Sequence, residues 1–355
     1  MSHANPTLQP SASNRKTWLL VLLFLVLTAA GLAYVKWWPY YGKALTAADK
    51  HSIGGSILKG AGADHALSVW QSSLDYAQAY FKAIWKAAVL GMLVGSMVQV
   101  LLPANWLLKV LGRASMRSTL IGGVSSLPGM MCTCCAAPIA AGLRKQQVSA
   151  GASLAFWLGN PLLNPATLIF MTFVLSWKFT LLRVAFGLLI TFGVSYAANR
   201  FEAPRAMAAR LSERLPAAEA APRQGSLWVA WFKSLFKMAI TLVPVYIVAV
   251  LALGVLQSFE LPNWLHGGLG AILFFAIAGT LFVIPTAAEI PIIQSFLSLG
   301  VSAGPAAVLL VTLPAVSLPS LLLVSRAFPR KVLAFVTLSV VVLGILCGFV
   351  GELAL

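Results

Sequence analysis

Residues 128–138 read PGMMCTCCAAP, and they interrupt an apolar block that is otherwise long enough to cross a membrane as one helix. Glycine and proline in this stretch stop a continuous helix. Irregular backbone at membrane depth is tolerated only where it is buried in protein or lines a cavity. The stretch therefore predicts a broken segment, over residues 119–143, in an all-α polytopic integral membrane protein.

The composition of the whole chain favours the same fold class. Of its 355 residues, 59% are hydrophobic and 10% are charged, and the mean hydropathy is +0.88. A globule of that size in water needs more polar surface, so a soluble enzyme is excluded. The net charge of +16 is typical of basic cytoplasmic loops, so we expect a lipid bilayer and not nucleic acid as the partner.

Three cysteines, Cys132, Cys134 and Cys135, crowd into the broken segment. They precede a half-helix that we expect to begin near Ala136, and the positive end of a helix dipole favours thiolates, which bind soft metals and metalloids. Cysteine also packs well as a small apolar residue between helices. A substrate site lined by thiols and simple packing both stay open here. The pattern predicts no cofactor, and it does not identify a resident metal.

The N-terminal region predicts one extra transmembrane helix. Between Lys16 and Lys36 lie 19 residues without charge (36 − 16 − 1), which rise about 28 Å as a helix. A cleaved signal peptide is the alternative, but the run is long and the aromatic cluster 37–40 follows it, so we predict a retained helix. The N-terminus is then inside, and residues 36–80 form an external segment to which the sequence assigns no role.

The rest of the chain divides into two similar halves. We predict a first permease repeat over residues 81–199, a basic cytoplasmic linker over 200–230 and a second repeat over 231–355. Three matching positions support the repeat. Pro138, the Val-Ser-Ala-Gly motif at 148–151 and Pro161 recur 153 residues later (291 − 138), as Pro291, the same motif at 301–304 and Pro314. Such duplication is a feature of transporters built around a central site.

The positions of the cations predict that the two halves are inverted. Each half is expected to contain a spanning helix (83–102; 235–257), a broken segment (119–143; 272–299) and two more apolar helices. If the broken segments are re-entrant, each half crosses three times, and most cations then fall in cytoplasmic loops. This model leaves four cations at the outer interface, where they have to snorkel: Lys82, Lys86, Lys178 and Arg183.

The second broken segment contains Glu289, the acidic residue of the apolar blocks that lies far from any end. An acidic side chain in a span costs about 2.5 to 3.5 kcal/mol on insertion scales, which makes it a candidate for function. Thr286 and Glu289 also have the spacing of a capping box, in which the carboxylate satisfies a backbone N–H at a half-helix start. The two interpretations are compatible.

The helix after each broken segment carries paired prolines. The first half reads Asn160-Pro161-Leu162-Leu163-Asn164-Pro165, and the second has Pro314, Ser317 and Pro319. Each proline frees a carbonyl one turn earlier, so these carbonyls and the side chains of Asn160, Asn164 and Ser317 are candidate polar ligands for a substrate. A packing kink satisfied by neighbouring helices is the alternative.

Four features of the chain resemble a predicted permease family. They are the Cys-rich turn with its Ala-Pro, the Gly-Leu-Arg-Lys loop at 142–145, the Val-Ser-Ala-Gly motif at 148–151 and the helix with its tandem Asn-Pro. That family includes the YraQ-type proteins and the ArsP exporters of trivalent organoarsenicals. The resemblance extends from about residue 81 to the C-terminus, and it implies a bacterial inner-membrane permease. Family members commonly have Cys-x-Cys-Gly before the proline, whereas here Cys134 is followed by Cys135 and Ala136.

The sequence therefore predicts a multi-pass permease that moves a small molecule or ion. More specifically, it predicts efflux of a thiophilic arsenical or soft-metal compound. The predicted substrate site combines Cys132, Cys134, Cys135, Asn160, Asn164, Thr286, Glu289 and Ser317. An intramembrane thiol enzyme is disfavoured because the four histidines lie outside the broken segments and leave the cysteines without a base. A non-transporting subunit of a larger complex and a homo-oligomer stay open.

Overall fold

The computed structural model describes residues 12–53, 69–100, 104–201, 227–256 and 267–355. Regular structure in these ranges is entirely helical, which confirms the all-α prediction. The α-helices are α1 Ala12–Leu32, α2 Trp38–Lys50, α3 Val69–Val100, α4 Ala104–Leu111, α5 Met116–Val124, α6 Thr133–Lys145, α7 Ala150–Leu162, α8 Pro165–Val174, α9 Trp177–Leu188, α10 Ser195–Ala198, α11 Leu227–Leu256, α12 Gly268–Leu281, α13 Glu289–Ser298, α14 Ala303–Ala315, α15 Leu318–Val324 and α16 Arg330–Ala354.

Within the described ranges, six helical stretches are long and apolar enough to cross a membrane. They are Trp18–Lys50, Ala77–Val98, Ala150–Val174, Trp177–Phe201, Ala303–Val324 and Arg330–Ala354. Many of their exposed side chains are large and apolar, as expected of a protein whose outer solvent is lipid. The chain is therefore a multi-pass membrane protein.

The N-terminal helix is longer than the sequence analysis predicted. It does not end at the aromatic cluster but continues through a π-helical turn, Ala33–Trp37, into α2. The helix therefore includes Lys36, whose side chain is buried against the rest of the protein. The prediction that residues 36–80 form an external segment stays a prediction; of these residues, 36–50 are helical, and α2 packs on α8. Residues 54–68 lie outside the described ranges.

The helices that lead into the broken segments also differ from their predicted bounds. The first covers residues 69–100 and the second 227–256, so each begins upstream of the predicted start. These two helices, α3 and α11, pack along each other. Of the predicted linker, residues 202–226 lie outside the described ranges.

Two proline-ended helices, α7 and α14, form the centre of the fold. Nearly every residue of both is buried, and the two helices contact each other. Around them, α5, α6 and α9 pack on α7, while α12, α13 and α16 pack on α14. A carbonyl or side chain freed at the end of either helix consequently lies inside the protein and not at a lipid surface.

The helices of the two halves begin at matching positions. The starts of α14, α15 and α16 fall 153 residues after those of α7, α8 and α9 (303 − 150, 318 − 165 and 330 − 177). The offset is the one at which the matching sequence positions recur. Duplication of an inverted unit remains our prediction for this pattern.

The long helices that close each half are antiparallel neighbours. At one end, the Lys178 ammonium donates a hydrogen bond to the Ala354 carbonyl over 3.1 Å. At the other end, the rings of Phe201 and Phe335 are 4.7 Å apart between centroids. Residue 201 and the C-terminus therefore lie at opposite ends of the bundle.

Candidate functional site

One narrow cavity is lined by both broken segments and both proline kinks. Its walls are Cys132, Thr133, Pro161, Thr167, Ile284, Pro285, Thr286, Ala287, Glu289 and Pro314. The cavity volume is about 10 Å³, which holds about one water molecule. The turn at residues 132–135 and the turn at residues 286–289, which are the irregular parts of the two broken segments, thus meet at one site.

The first turn separates the three cysteines into two environments. Cys132 is the N-cap of α6, and its Sγ lies 3.2 Å from the Sγ of Cys135, so these two buried free thiols form a pair. The Cys134 thiol instead lies 3.3 Å from the Ser317 hydroxyl, which begins α15 in the other half. Packing alone needs no such pairing, and two thiols at this separation are able to bind one soft atom together.

The spacing of this thiol pair is visible in the sequence. Cys132 and Cys135 are three positions apart, which places both side chains on the first turn of one helix. The sequence analysis treated the three cysteines as one cluster and missed the pair. Met130, just before the turn, has a left-handed backbone (φ 47°), and this strained residue redirects the chain into α6.

Three side chains hold the cysteine turn from outside. The indole N–H of Trp157 donates to the Thr133 carbonyl at 3.0 Å, and that of Trp37 donates to the Pro128 carbonyl at 2.9 Å. The Asn160 side-chain carbonyl accepts from the Met131 N–H at 3.4 Å. The structure therefore places Asn160 behind the turn as a positioning residue and not among the residues that line the cavity.

The second turn carries a buried ion pair that the sequence analysis did not predict. The Glu289 carboxylate lies 3.1 Å from the guanidinium of Arg183, and both side chains are almost completely buried. The prediction that Arg183 snorkels at the outer interface is wrong, whereas Lys82, Lys86 and Lys178 are exposed. Glu289 therefore neutralises a cation that belongs to the protein itself.

The reason for the burial of Arg183 is the set of carbonyls that the prolines release. Its guanidinium donates to the carbonyls of Pro161 and Leu162 at the end of α7, and to that of Leu310 in α14. Pro314 has no N–H, so the carbonyl of Leu310, one turn earlier, has no partner in its own helix. A planar guanidinium with five donors matches several such acceptors at once.

The capping box predicted at Thr286 and Glu289 is absent. The N-cap of α13 is Ala288, which has no side-chain cap, because Ala287 adopts a left-handed backbone (φ 69°) and the helix begins two residues late. The Thr286 hydroxyl instead accepts a hydrogen bond from the Lys36 ammonium at 3.1 Å. The irregular turn thereby presents its side chain toward the N-terminal helix.

Asn164 and Ser317 occupy equivalent positions at the starts of α8 and α15. The Asn164 side-chain carbonyl caps α8 by accepting from the N–H groups of Ala166 and Thr167, and Ser317 forms a capping box with Ser320. Ser317 also lies 3.4 Å from the Thr133 hydroxyl. Both residues are therefore buried helix caps beside the cavity, and Ser317 contacts the cysteine turn directly.

Comparison with known proteins identifies the family of this chain. A family model described as a predicted permease matches residues 70–353. The chain belongs to this predicted permease family. It is 49% identical over 336 residues to UPF0718 protein YraQ of Escherichia coli (strain K12), an alignment that covers 93% of this chain and 94% of that protein. UPF0718 protein MJ0584 of Methanocaldococcus jannaschii is 21% identical over 335 residues, covering 76% and 92%. No solved structure matches the chain.

The match confirms the family resemblance, and it begins after the N-terminal helix. Residues 12–50 lie before the region that the permease model covers, yet they contribute Lys36 to the neighbourhood of both turns. The sequence analysis missed Lys36 because it used this lysine to end the first span. A lysine within a continuing helix, next to aromatic residues, is the signal that could have found it. The π-helical turn there is a feature common at functional sites.

The described residues contain no group of three or more His, Cys, Asp or Glu arranged to hold a metal ion. The groups in or next to the cavity are a thiol pair, hydroxyls, helix starts, the Glu289 carboxylate and the cations Lys36 and Arg183.

Proposed function

We propose that this permease exports a small thiophilic solute, a trivalent arsenical or another soft-atom compound, across the bacterial inner membrane. The observation that carries the proposal is the Cys132–Cys135 pair, whose sulfur atoms lie 3.2 Å apart with Cys132 in the wall of a cavity built from both halves. A soft atom that bridges two thiolates in a buried site is bound more tightly than by either thiolate alone.

Alternating access between two inverted halves is the mechanism that we propose. The matching helix starts and the antiparallel closing helices support it. Arg183 supports it too, since it comes from the first half and binds Glu289 and Leu310 of the second. In the closed state the cavity admits about one water molecule, so a solute has to enter and leave through other states in which the halves separate.

The test is transport into everted membrane vesicles from a deletion strain that carries plasmid-borne protein. The solutes are phenylarsine oxide, arsenite and a soft metal ion, each with a neutral osmolyte as reference. Cys132→Ser, Cys135→Ser and the double variant should lose at least about tenfold of the initial rate, because a bridging ligand is lost.

The matched control is Cys347→Ser. Cys347 is also a buried free thiol, but it donates to the Ala307 carbonyl within the second half. This variant should transport at the wild-type rate when membrane abundance is equal. The proposal is contradicted if the Cys132/Cys135 double variant transports at the wild-type rate, or if the transport of none of the solutes depends on the protein.

A further inference from the structure

The N-terminal helix buries an ammonium group beside the proposed site. Lys36 is 4% exposed, and its ammonium donates to the Tyr40 and Thr286 hydroxyls, each at 3.1 Å. The Tyr40 ring lies 5.1 Å from the same nitrogen. All of these partners are neutral, and an ammonium group has a third N–H to donate.

The described residues provide no carboxylate for Lys36. The buried acid nearby, Glu289, is already paired with Arg183, and no carboxylate of the described ranges makes an ion pair with Lys36. An uncompensated buried charge is strongly unfavourable, so structures that retain one usually supply a counter-charge when they function. With Arg183 and Glu289 cancelling each other and the cysteines protonated, the site carries one net positive charge.

The cavity wall, which Lys36 contacts through Thr286, favours negative charge as well. Thr133, Thr167 and Glu289 lie in the first turns of α6, α8 and α13, whose positive ends face the cavity. The Thr167 hydroxyl is buried and, among the described residues, has no hydrogen-bond partner. Ammonium, hydroxyl and helix starts together form a set of donors.

We infer that the solute of this site is a small anion, with Lys36 as its counter-charge. The inference rests on the proposed function, because it concerns the same site. Among the solutes proposed above it favours small oxyanions that bind next to a thiol pair over neutral arsenicals. Free soft metal cations are then poor substrates, since they enter a positively charged site. Lys36 lies outside residues 70–353, which the permease model covers, so the inference assigns a specificity role to a residue that the family model does not include.

The Cys132 thiolate is the competing counter-charge. Lys36 lies within electrostatic range of Cys132 and Cys135, so a resident ammonium–thiolate pair would leave the site neutral. The two possibilities differ in which ligand Lys36 holds and are separable by experiment.

The test measures the apparent melting temperature of the purified full-length protein in detergent, with thiosulfate, sulfate or phosphate titrated against gluconate at constant ionic strength. At least one of the three oxyanions should stabilise the wild-type protein in a saturable manner. Lys36→Gln should weaken the apparent affinity at least tenfold, Lys36→Arg should largely retain it, and the control Lys82→Gln, at an exposed lysine of α3, should not change it. The Cys132→Ser/Cys135→Ser variant should still respond, so a failure of thiophile transport and a failure of anion binding are distinguishable.

Three results overturn the inference. The first is a wild-type protein whose melting temperature is the same in all salts. The second is Lys36→Gln titrating like the wild type. The third is an anion-insensitive protein in which Lys36→Gln slows alkylation of Cys132 by iodoacetamide at neutral pH, because that assigns the counter-charge to the thiolate. If Lys36→Gln does not fold, the titration of the wild-type protein still decides, since the absence of saturable stabilisation by any of the three oxyanions overturns the inference.

Discussion

Removal of the negative charge of Glu289 should destabilise the protein strongly. In Glu289→Gln, the side-chain carbonyl still accepts a hydrogen bond from Arg183, but the buried guanidinium loses its counter-charge and, unlike a carboxyl, cannot become neutral. Breaking a buried pair in this way costs about 3–5 kcal/mol. At roughly 2 °C per kcal/mol for a chain of this size, the apparent melting temperature should fall by about 6–10 °C.

Arg183→Met should be more destabilising than Glu289→Gln. It removes the pair and also leaves the carbonyls of Pro161, Leu162 and Leu310 without their donor, and each orphaned buried acceptor costs about 1–3 kcal/mol. Arg183→Lys keeps the charge but not the planar fork, so it should lie between the wild type and Arg183→Met.

The assay is fluorescence-detected thermal unfolding of the purified variants in one detergent, compared by rank because such unfolding is commonly irreversible. Glu352→Gln is the matched control. Glu352 is exposed and accepts from the Gly304 N–H and the Ser302 hydroxyl, so the loss of its charge should lower the melting temperature by no more than about 2 °C, in keeping with a helix cap.

The double variant Arg183→Met/Glu289→Met should be more stable than the sum of the effects of Arg183→Met and Glu289→Met predicts, since an apolar pair leaves no charge uncompensated. A shift of under about 2 °C in Glu289→Gln, or strict additivity in the double variant, would refute the argument that the two halves are held together by this ion pair.

Two further predictions follow from the packing. Reporter fusions at residue 215 and after Leu355 should report opposite sides of the membrane, because the two closing helices are antiparallel; both reporters on one side would eliminate the inverted arrangement. In Gly91→Ala, the added Cβ would collide with the carbonyl oxygen of Cys135, so overpacking of about 1–3 kcal/mol should lower the melting temperature and impair transport. The control Gly42→Ala has open space around it and should be neutral or slightly stabilising; equal effects of the two alanines would show that close packing of α3 on the cysteine turn is not required.

The positions of the irregular segments could be predicted from the sequence because they depend on local chemistry. Proline and glycine act on the backbone of their own turn, so the breaks near Cys132 and Glu289, and the interrupted helices at Pro161 and Pro314, appear in the structure where the residues predict them. The family resemblance was readable from the same stretches. The long apolar runs likewise determined a multi-pass membrane protein, since hydropathy and length are properties of the chain alone.

The partners of the buried charges were decided by the tertiary structure. Arg183 and Glu289 are 106 residues apart, and Lys36 and Thr286 are 250 residues apart; no local pattern relates residues at such separations. From the sequence, a lysine or arginine near the end of an apolar run is expected to snorkel, because water at the interface is the default partner of a cation. The fold overrides that default where it provides something better: three carbonyls and a carboxylate for Arg183, and two hydroxyls with an aromatic ring for Lys36. The sequence determines where an apolar run is broken, because proline and glycine act on their own turn of the backbone. The packing of the helices determines which side chains meet at the break.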